Sequence, residues 1–368
     1  MKITKREEEI LLEIANNPQI SQKELSKKLA ISRSAIAVHI MNLSIKGAIK
    51  GRGYILNTDE FITVIGGANI DIHGYSQVGL LSNDSSPGKI TSSPGGVARN
   101  IAENLCRLNM RCKLMSAIGD DYHGDILMKD FENIGIDSNL ILEKKNTTTS
   151  SYISFNDKNG EMKNAISDMT ILKSLSPDYI EKNLKILTQS KLIVIDTNIS
   201  QETIDYMFRN ISNTPIYVDT VSSSKANKIR PHISKIHTLK PNKIEAETIS
   251  GINIDSEKKL YEVADWFMER GLKRLFISLG SFGIFYANEK EYGLEEVRQK
   301  TLNISNVSGA GDAALAAIIY ATQKRYVISD IARGALIAAN IALETSNSSS
   351  ENISEDLLKI KYNETYAQ

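Results

Sequence analysis

From residue 61 onward the chain alternates short apolar runs with longer stretches of helical periodicity, and that alternation leaves few folds open. Strand-like runs fall at residues 61–65, 113–117, 191–195, 216–218, 237–239 and 274–279. Helical spacing of apolar residues marks 97–109, 123–134, 177–188, 201–210, 243–249, 257–270, 310–323 and 327–344. Buried strands joined by helical crossovers imply an α/β body, a mostly parallel sheet with helices on both faces. Ligands of such sheets bind beyond the carboxyl ends of the strands. Two segments break the alternation. Residues 72–90 and 150–166 read as hairpin strands, the second around an Asp157-Lys158-Asn159-Gly160 turn. A small β lid over a cleft is the expectation for both.

Composition narrows the function classes only a little. The chain has 368 residues, with Lys+Arg and Asp+Glu both at 44, so net charge argues neither for nor against a polyanionic partner. Cys106 and Cys112 are the only cysteines. They exclude a zinc cluster or a disulfide framework and read as buried thiols in a reducing compartment. The N-terminus lacks the apolar core of a signal peptide, and the longest apolar run, near 313–321, is too short to span a bilayer. A cytoplasmic protein is expected.

Residues 1–57 have a different rhythm. Thr4 can cap a helix with Ile10, Leu11 and Ile14 on one face, and Asn16-Asn17-Pro18 ends it. Ser21 and Glu24 form a capping-box pattern before Leu25 and Leu29. Ser32 can cap a third helix with Ile36, Ile40 and Leu43 inward and Arg33, Ser34, Ala37 and His39 outward. Gly47 stops it, and residues 48–56 read as a hairpin with a basic tip. Three helices and a wing resemble the winged helix-turn-helix domains of bacterial regulators. That resemblance implies a DNA partner, with Arg33, Ser34 and His39 at the major groove and Arg52 at phosphate. A helical docking or dimerisation module fits the same pattern. Asn57-Thr58-Asp59-Glu60 reads as a polar linker to the larger domain, 61–368.

The chemistry is expected at Gly309-Ala310-Gly311-Asp312, ahead of the apolar helix that starts near 310. Small residues at a helix N-terminus leave backbone amides free to hold an anion. Asp312, in the first turn, is placed to take a proton from an acceptor hydroxyl in phosphoryl transfer. Asn69 and Asp71, two apart after the first strand, point to one side of extended chain and suit a vicinal diol, or a hydrogen-bonded turn. Gly95, Gly96 and Asn100 open the next helix, with close backbone approach or a plain glycine-rich entry as the two readings. Asn242 and Glu245 share a helical face and could hold phosphate and hydrated Mg²⁺, or form an N-terminal cap. Ser278, Gly280 and Gly283 end a strand where backbone could touch a nucleotide. Gly119 and Gly124 have the spacing of a phosphate loop, but Asp125-Ile126 stands where Lys-Ser/Thr would be required.

The order of these motifs resembles the ribokinase-like (PfkB) carbohydrate and nucleoside kinases across residues 61–345. Within that family, the wording of Gly-Gly-Ala-Asn-Ile-Asp-Ile-His-Gly, of 84–88, of 97–104, of 165–169 and of 306–312 is most similar to the pseudouridine kinases. The resemblance implies a three-layer α/β/α fold with a β lid, and ATP and Mg²⁺ as cofactors. By residue it implies Asp312 as base and Gly309, Ala310 and Gly311 as anion hole. It puts Asn69, Asp71, Gly95, Gly96 and Asn100 on the sugar, with Asp168 reaching from the lid to base or ribose. It puts Asn242, Ser278, Gly280 and Gly283 on ATP, and Glu245 on Mg²⁺ through water. The family's usual Asp-Thr before the anion hole is Asn306-Val307 here, so a potassium site would rest on Asn306 and Ser308. Lid strands that pair between subunits imply a homodimer. The implied activity is ATP-dependent 5′-phosphorylation of pseudouridine. A kinase for ribose, another sugar or another nucleoside, and a ligand-sensing DNA-binding regulator, are the other readings.

Overall fold

The computed structural model describes residues 3–50, 60–80, 83–298, 309–345 and 351–366. Helices α1 (Lys5–Asn16), α2 (Gln22–Leu29) and α3 (Arg33–Ile45) come first. Thr4, Ser21 and Ser32 cap them as their sequence pattern predicts, the first two in full capping boxes. Ile10, Ile14, Leu25, Ile36, Ile40 and Leu43 close a small core between them.

The body begins with β1 (Ile62–Ile65), β2 (Asn69–Ser76), β3 (Gly88–Gly95), α4 (Val97–Arg107), β4 (Cys112–Met115), β5 (Ala117–Gly119) and α5 (Tyr122–Ile134). Then come β6 (Leu142–Lys144), β7 (Ser151–Asn156), β8 (Met162–Asp168), α6 (Pro177–Gln189), β9 (Leu192–Asp196), α7 (Gln201–Asn210), β10 (Ile216–Asp219) and α8 (Ser223–Ala226). The chain continues through β11 (Thr238–Lys240), α9 (Lys243–Ser250), α10 (Glu257–Glu269), β12 (Arg274–Ser278), β13 (Ile284–Asn288) and β14 (Tyr292–Glu295). Helices α11 (Ala310–Gln323), α12 (Ile328–Leu343) and α13 (Glu355–Tyr366) complete it.

Eight strands form the main sheet in the order β14-β13-β12-β11-β10-β9-β1-β4. Its strands run parallel from β4 to β12, and β13 and β14 add an antiparallel edge. Alternate residues of each strand face opposite layers. Ile193, Ile195, Leu239 and Ile277 pack on α7, α9 and α10, while Leu192, Val194, Tyr217 and Phe276 pack on α4, α11 and α12. Each such side chain, fully buried, contributes about 1.5–3 kcal/mol of hydrophobic stabilisation. Burial on both faces is what made these strands read as continuous apolar runs.

A second sheet, β3-β2-β7-β8, forms the lid. Both expected hairpins are present: β2 with β3 and β7 with β8, joined through a parallel β2–β7 pair. The Asp157 carboxylate accepts the amides of Asn159 and Glu161 and so shapes the turn between β7 and β8.

Three features differ from the sequence reading. The run expected at 113–117 divides into β4 and β5 around Ser116, whose buried hydroxyl donates to the Gly66 carbonyl at 2.7 Å. The antiparallel edge strands β13 and β14 were not anticipated, because Gly280 and Gly283 drew the reading toward a ligand loop. Helix α13 has only Leu358 buried, too little apolar periodicity to stand out.

Ile195 is fully buried and Ile360 is 52% exposed. Ile195→Ala is expected to lose about 2–5 kcal/mol in denaturant unfolding. Ile360→Ser should stay within about 0.5 kcal/mol of the parent.

Candidate active site

The site is assembled at the carboxyl ends of β1, β9, β10 and β11. At its base lies Asp196, the last residue of β9. Its Oδ2 accepts the Gly67 amide at 2.8 Å and the Ala98 amide at 3.1 Å, and its Oδ1 accepts the Asn198 amide at 2.8 Å. Burial pushes the Asp196 pKa up, against the hydrogen bonds that favour its charge. One carboxylate thus ties the loop after β1 to the first turn of α4. The two segments meet closely enough to exclude side chains. A Cβ at Gly66 would fall 2.2 Å from the Asp196 carboxyl, and one at Gly96 would fall 2.5 Å from the Gly67 carbonyl oxygen, where φ is also +103°.

That junction sets the polar residues beyond it. Asn69 and Asp71 sit on one face of β2, the Asn69 amide donating to Asp71 Oδ1 at 2.7 Å. Gly95 lies opposite Asn69 in the register, and a Cβ there would overlap the Asp71 carboxyl at 2.1 Å. Asn100, in the first turn of α4, accepts from the Arg99 guanidinium at 3.1 Å, which turns its Nδ2 toward Asp312 Oδ2 at 2.9 Å. Both Asn100 and Asp312 are buried.

Asp312 is the third residue of α11, whose N-cap is Gly309 at φ +80°. No side chain among the described residues caps this helix, so its leading amides, including those of Ala310 and Gly311, have no side-chain acceptor among them. Burial and the negative charges of Asp219 and Asp196 push the Asp312 pKa up to about 8, against the Asn100 hydrogen bond and the Lys240 charge. Lys240, the last residue of β11, lies beneath the bend. Its Nζ is 3.1 Å from Asp219 Oδ2, and a Cβ on Gly311 would lie 3.2 Å from the same nitrogen. Burial opposes the Lys240 charge, but Asp219, Glu245 and Asp312 outweigh it and hold the pKa above the ordinary lysine value.

Asn242 and Glu245 form a capping box at the start of α9: Asn242 Oδ1 accepts the Glu245 amide at 2.9 Å, and Glu245 Oε2 accepts the Asn242 amide at 2.8 Å. Further bonds hold the carboxylate rigidly, from Asn242 Nδ2 at 2.8 Å and the Thr220 hydroxyl at 2.6 Å. Ser278 bridges Asn242 from the neighbouring strand end, and Gly280 and Gly283 close a tight turn at the same rim. Asn69, Asp71, Gly95, Gly96, Asn100, Asp312 and the Gly309–Gly311 bend therefore form one connected set, with Asn242, Glu245 and Ser278 on the Lys240 side.

Some candidates fall elsewhere. Asp168 pairs with Ser151 in the lid register, on the sheet face opposite Asp71, and its carboxylate accepts the Thr170 amide at 3.0 Å. The strand alternation that carries Asn69 and Asp71 to one side turns Asp168 away. In α3, Arg33 and Ser34 are exposed, but His39 is turned partly inward, with Nδ1 buried and unpartnered. Helical geometry puts position 39 beside the inward Ile36 and Leu43, three and four residues away. Arg52, Asn306 and Ser308 lie outside the described residues. Conversely, Asp196, Asp219, Thr220 and Lys240 escaped the sequence reading. A carboxylate closing an apolar strand run was the available signal for Asp196 and Asp219.

A family model for pfkB carbohydrate kinases matches residues 59–355, and one for winged helix-turn-helix DNA-binding domains matches residues 3–50. The chain belongs to the pfkB family of carbohydrate kinases. Over 261 residues it is 42% identical to the pseudouridine kinase of Escherichia coli K12, covering 70% of this chain and 82% of that one. It is 33% identical over 351 residues to the uncharacterized sugar kinase YeiI of the same strain, covering 95% and 97%. The ribokinase-like fold is shared with solved kinases. One is an Escherichia coli ribokinase II candidate solved with ATP and Mg²⁺, with TM-score 0.69 at 18% identity over 82% of this chain and 98% of that one. No helix among the described residues is long and apolar enough to cross a membrane.

Because the folded pKa of Asp312 lies above its unfolded value, the group favours folding most at low pH. That contribution is lost as pH rises from about 4 through about 8. Asp312→Asn should therefore be more stable than the parent at pH 9, with the gap narrowing toward pH 5. Denaturant midpoints measured across that range check the sign.

Proposed function

We propose that this pfkB-family kinase transfers the γ-phosphoryl group of ATP to the 5′-hydroxyl of pseudouridine. What carries the reading is the Asn100–Asp312 contact at 2.9 Å, beside the buried Lys240 and at the start of α11, which no side chain among the described residues caps. A base, an anion nest and a fixed positive charge then converge on one point. The Asn69 and Asp71 pair on β2 grips the ribose diol, with Gly95 leaving room for the Asp71 carboxyl and Gly96 for the loop after β1. Asp312 accepts the 5′-hydroxyl proton as the oxygen attacks phosphorus, and the amides of Gly309, Ala310 and Gly311 receive the oxygens of the migrating group. Lys240 supplies charge from below without reorganising. Positioning by residues already locked in buried hydrogen bonds supplies much of the remaining rate.

Kinases of this fold use ATP with Mg²⁺, and the donor set fits the ion through water. Both Glu245 carboxylate oxygens already accept hydrogen bonds within the protein, which leaves lone pairs for an ordered water rather than room for direct ligation. When bound, Mg²⁺ neutralises charge on the phosphates. Asn242 and the Ser278, Gly280 and Gly283 rim line the nucleotide side. The substrate choice rests on the 42% identity to a pseudouridine kinase, which is well above that to the ribokinase relatives.

The exposed face of α3 favours a second role in the same chain. Arg33 and Ser34 stand at the solvent-facing start of the second helix of the helix-turn-helix, and we propose that they meet duplex DNA. A homodimer is proposed through the outer face of the lid, where Ile90 is 76% and Ile166 63% exposed.

Asp312→Asn is expected to bind pseudouridine while losing at least ~10³-fold in kcat, the scale of removing a key catalytic group. Near-normal turnover would remove the mechanism. A panel of pseudouridine, uridine, inosine, ribose and hexoses with ATP tests the substrate, and preference for free ribose would overturn the choice. Ile90→Glu with Ile166→Glu should convert a dimer to monomer in sedimentation. Arg33→Ala should weaken retention of random duplex DNA in a shift assay at low salt.

A further inference from the structure

The lid has two chemically distinct faces, and the register says which residues share the one that carries Asn69 and Asp71. Tyr152 lies directly opposite Asp71, and Ser154 directly opposite His73. Partners in register project to the same side of a sheet, and residues two apart along a strand do so as well. Asp71, His73, Tyr152 and Ser154 therefore share one polar face. Ile72, Ile153 and Ile166 lie on the other.

A pentose alone needs only the Asn69 and Asp71 end of that face. His73 is two residues further along β2, about 7 Å by strand rise, and Tyr152 is one strand over, about 4.8 Å away. A nucleobase on the sugar held by Asp71 has that reach. The Tyr152 hydroxyl is engaged with Met162 Sδ at 3.2 Å, which leaves the ring itself to present a flat surface. Burial and the Asp71 charge both raise the Tyr152 pKa, in keeping with their adjacency.

His73 is oriented by a buried relay. Asn156 Nδ2 donates to the Gly74 carbonyl at 3.3 Å, which identifies that end of the amide as the donor, and also to Ser154 Oγ at 3.1 Å. Ser154 Oγ lies 2.7 Å from His73 Nδ1. Ser154 Oγ accepts from Asn156 and has its own proton to donate to Nδ1, the arrangement in which the ring proton sits on Nε2. Both Ser154 and Asn156 are buried, so the relay is rigid. The lid thereby offers an aromatic surface beside an imidazole held through Nδ1, with Nε2 as its other hydrogen-bonding edge.

We infer that Tyr152 and His73 form the base-recognition shelf of this kinase, selecting a uracil-type base by stacking on Tyr152 and by a ring carbonyl accepting from His73 Nε2–H. The inference rests on the nucleoside-kinase reading above. The shelf sets specificity and takes no part in the proton transfer. A base whose corresponding position is an amino group offers His73 no acceptor and is disfavoured.

The test compares pseudouridine with 1,4-anhydro-D-ribitol, the same sugar ring without a base, in the full-length enzyme with ATP and Mg²⁺. Tyr152→Ala and His73→Ala should each lower kcat/KM for pseudouridine about 5- to 100-fold, the range seen when a base-stacking partner is truncated. The expected change lies in KM, and kcat/KM for the anhydro sugar should stay within about twofold. His73→Gln, which keeps a donor, should recover part of the loss. Equal losses on both substrates would mean that the residues only hold the lid together, and unchanged pseudouridine kinetics would mean that the base lies elsewhere. Either result overturns the shelf. Parent enzyme that ignores pseudouridine and every other nucleoside overturns the nucleoside reading along with it, and that is seen before any variant is made.

Discussion

The candidate site is held together by one buried carboxylate. Asp196 accepts one amide from the loop after β1 and another from the first turn of α4. A loop and a helix start that would otherwise be independent become one unit. The polar pair on β2 leaves one side of that unit and Asn100 leaves the other, so an error at Asp196 would displace Asn69, Asp71 and Asn100 together. Its buried charge is tolerated because three amides face it, the condition under which a desolvated carboxylate remains acceptable. The same constraint explains why Gly66 and Gly96 are glycines: at each position a Cβ would overlap the junction.

A second tension lies one layer deeper. Asp196, Asp219 and Asp312 are all buried, and Lys240 pairs directly with Asp219. An ion pair plus two further carboxylates is an unfavourable way to fill protein interior, and the raised pKa of Asp312 expresses that cost. A carboxyl with its pKa near 8 is a stronger base once ionised than an ordinary aspartate, and a base with pKa near the working pH is an efficient proton acceptor. The electrostatic strain therefore has a use in the proposed chemistry, and it resides in rigid strand ends and a helix N-terminus.

Much of this architecture was legible in the chain itself. Doubly buried strands such as β9 and β10 announce themselves as unbroken apolar runs, and caps at Thr4, Ser21 and Ser32 mark helix starts through local hydrogen-bonding chemistry alone. Asn69 and Asp71 could be placed on one face because period-two alternation is a property of any extended strand. The same rule, applied once the lid register is known, removes Asp168 from that face. Without the register, a carboxylate near the end of a lid strand has no assignable side. The pairing of Lys240 with Asp219 was illegible for another reason. Their importance lies in a contact between neighbouring parallel strands, and no spacing along the chain encodes which strands become neighbours.

Asn242 and Glu245 show that a structural and a functional reading of one motif need not compete. Every hydrogen bond of the capping box is present, so the bland interpretation is satisfied in full. Those same bonds, with the Thr220 hydroxyl added, freeze the Glu245 carboxylate in one orientation within the field of Lys240. A freely rotating glutamate would lose entropy on ordering a hydrated cation; this one has lost it already, on folding. Capping α9 would thus make the proposed second role inexpensive, and the contrast with α11 follows from the same logic. In the proposed mechanism the helix start that is to hold water and metal is filled with the protein's own side chains, and the one that is to hold a migrating phosphoryl group has no side-chain cap among the described residues.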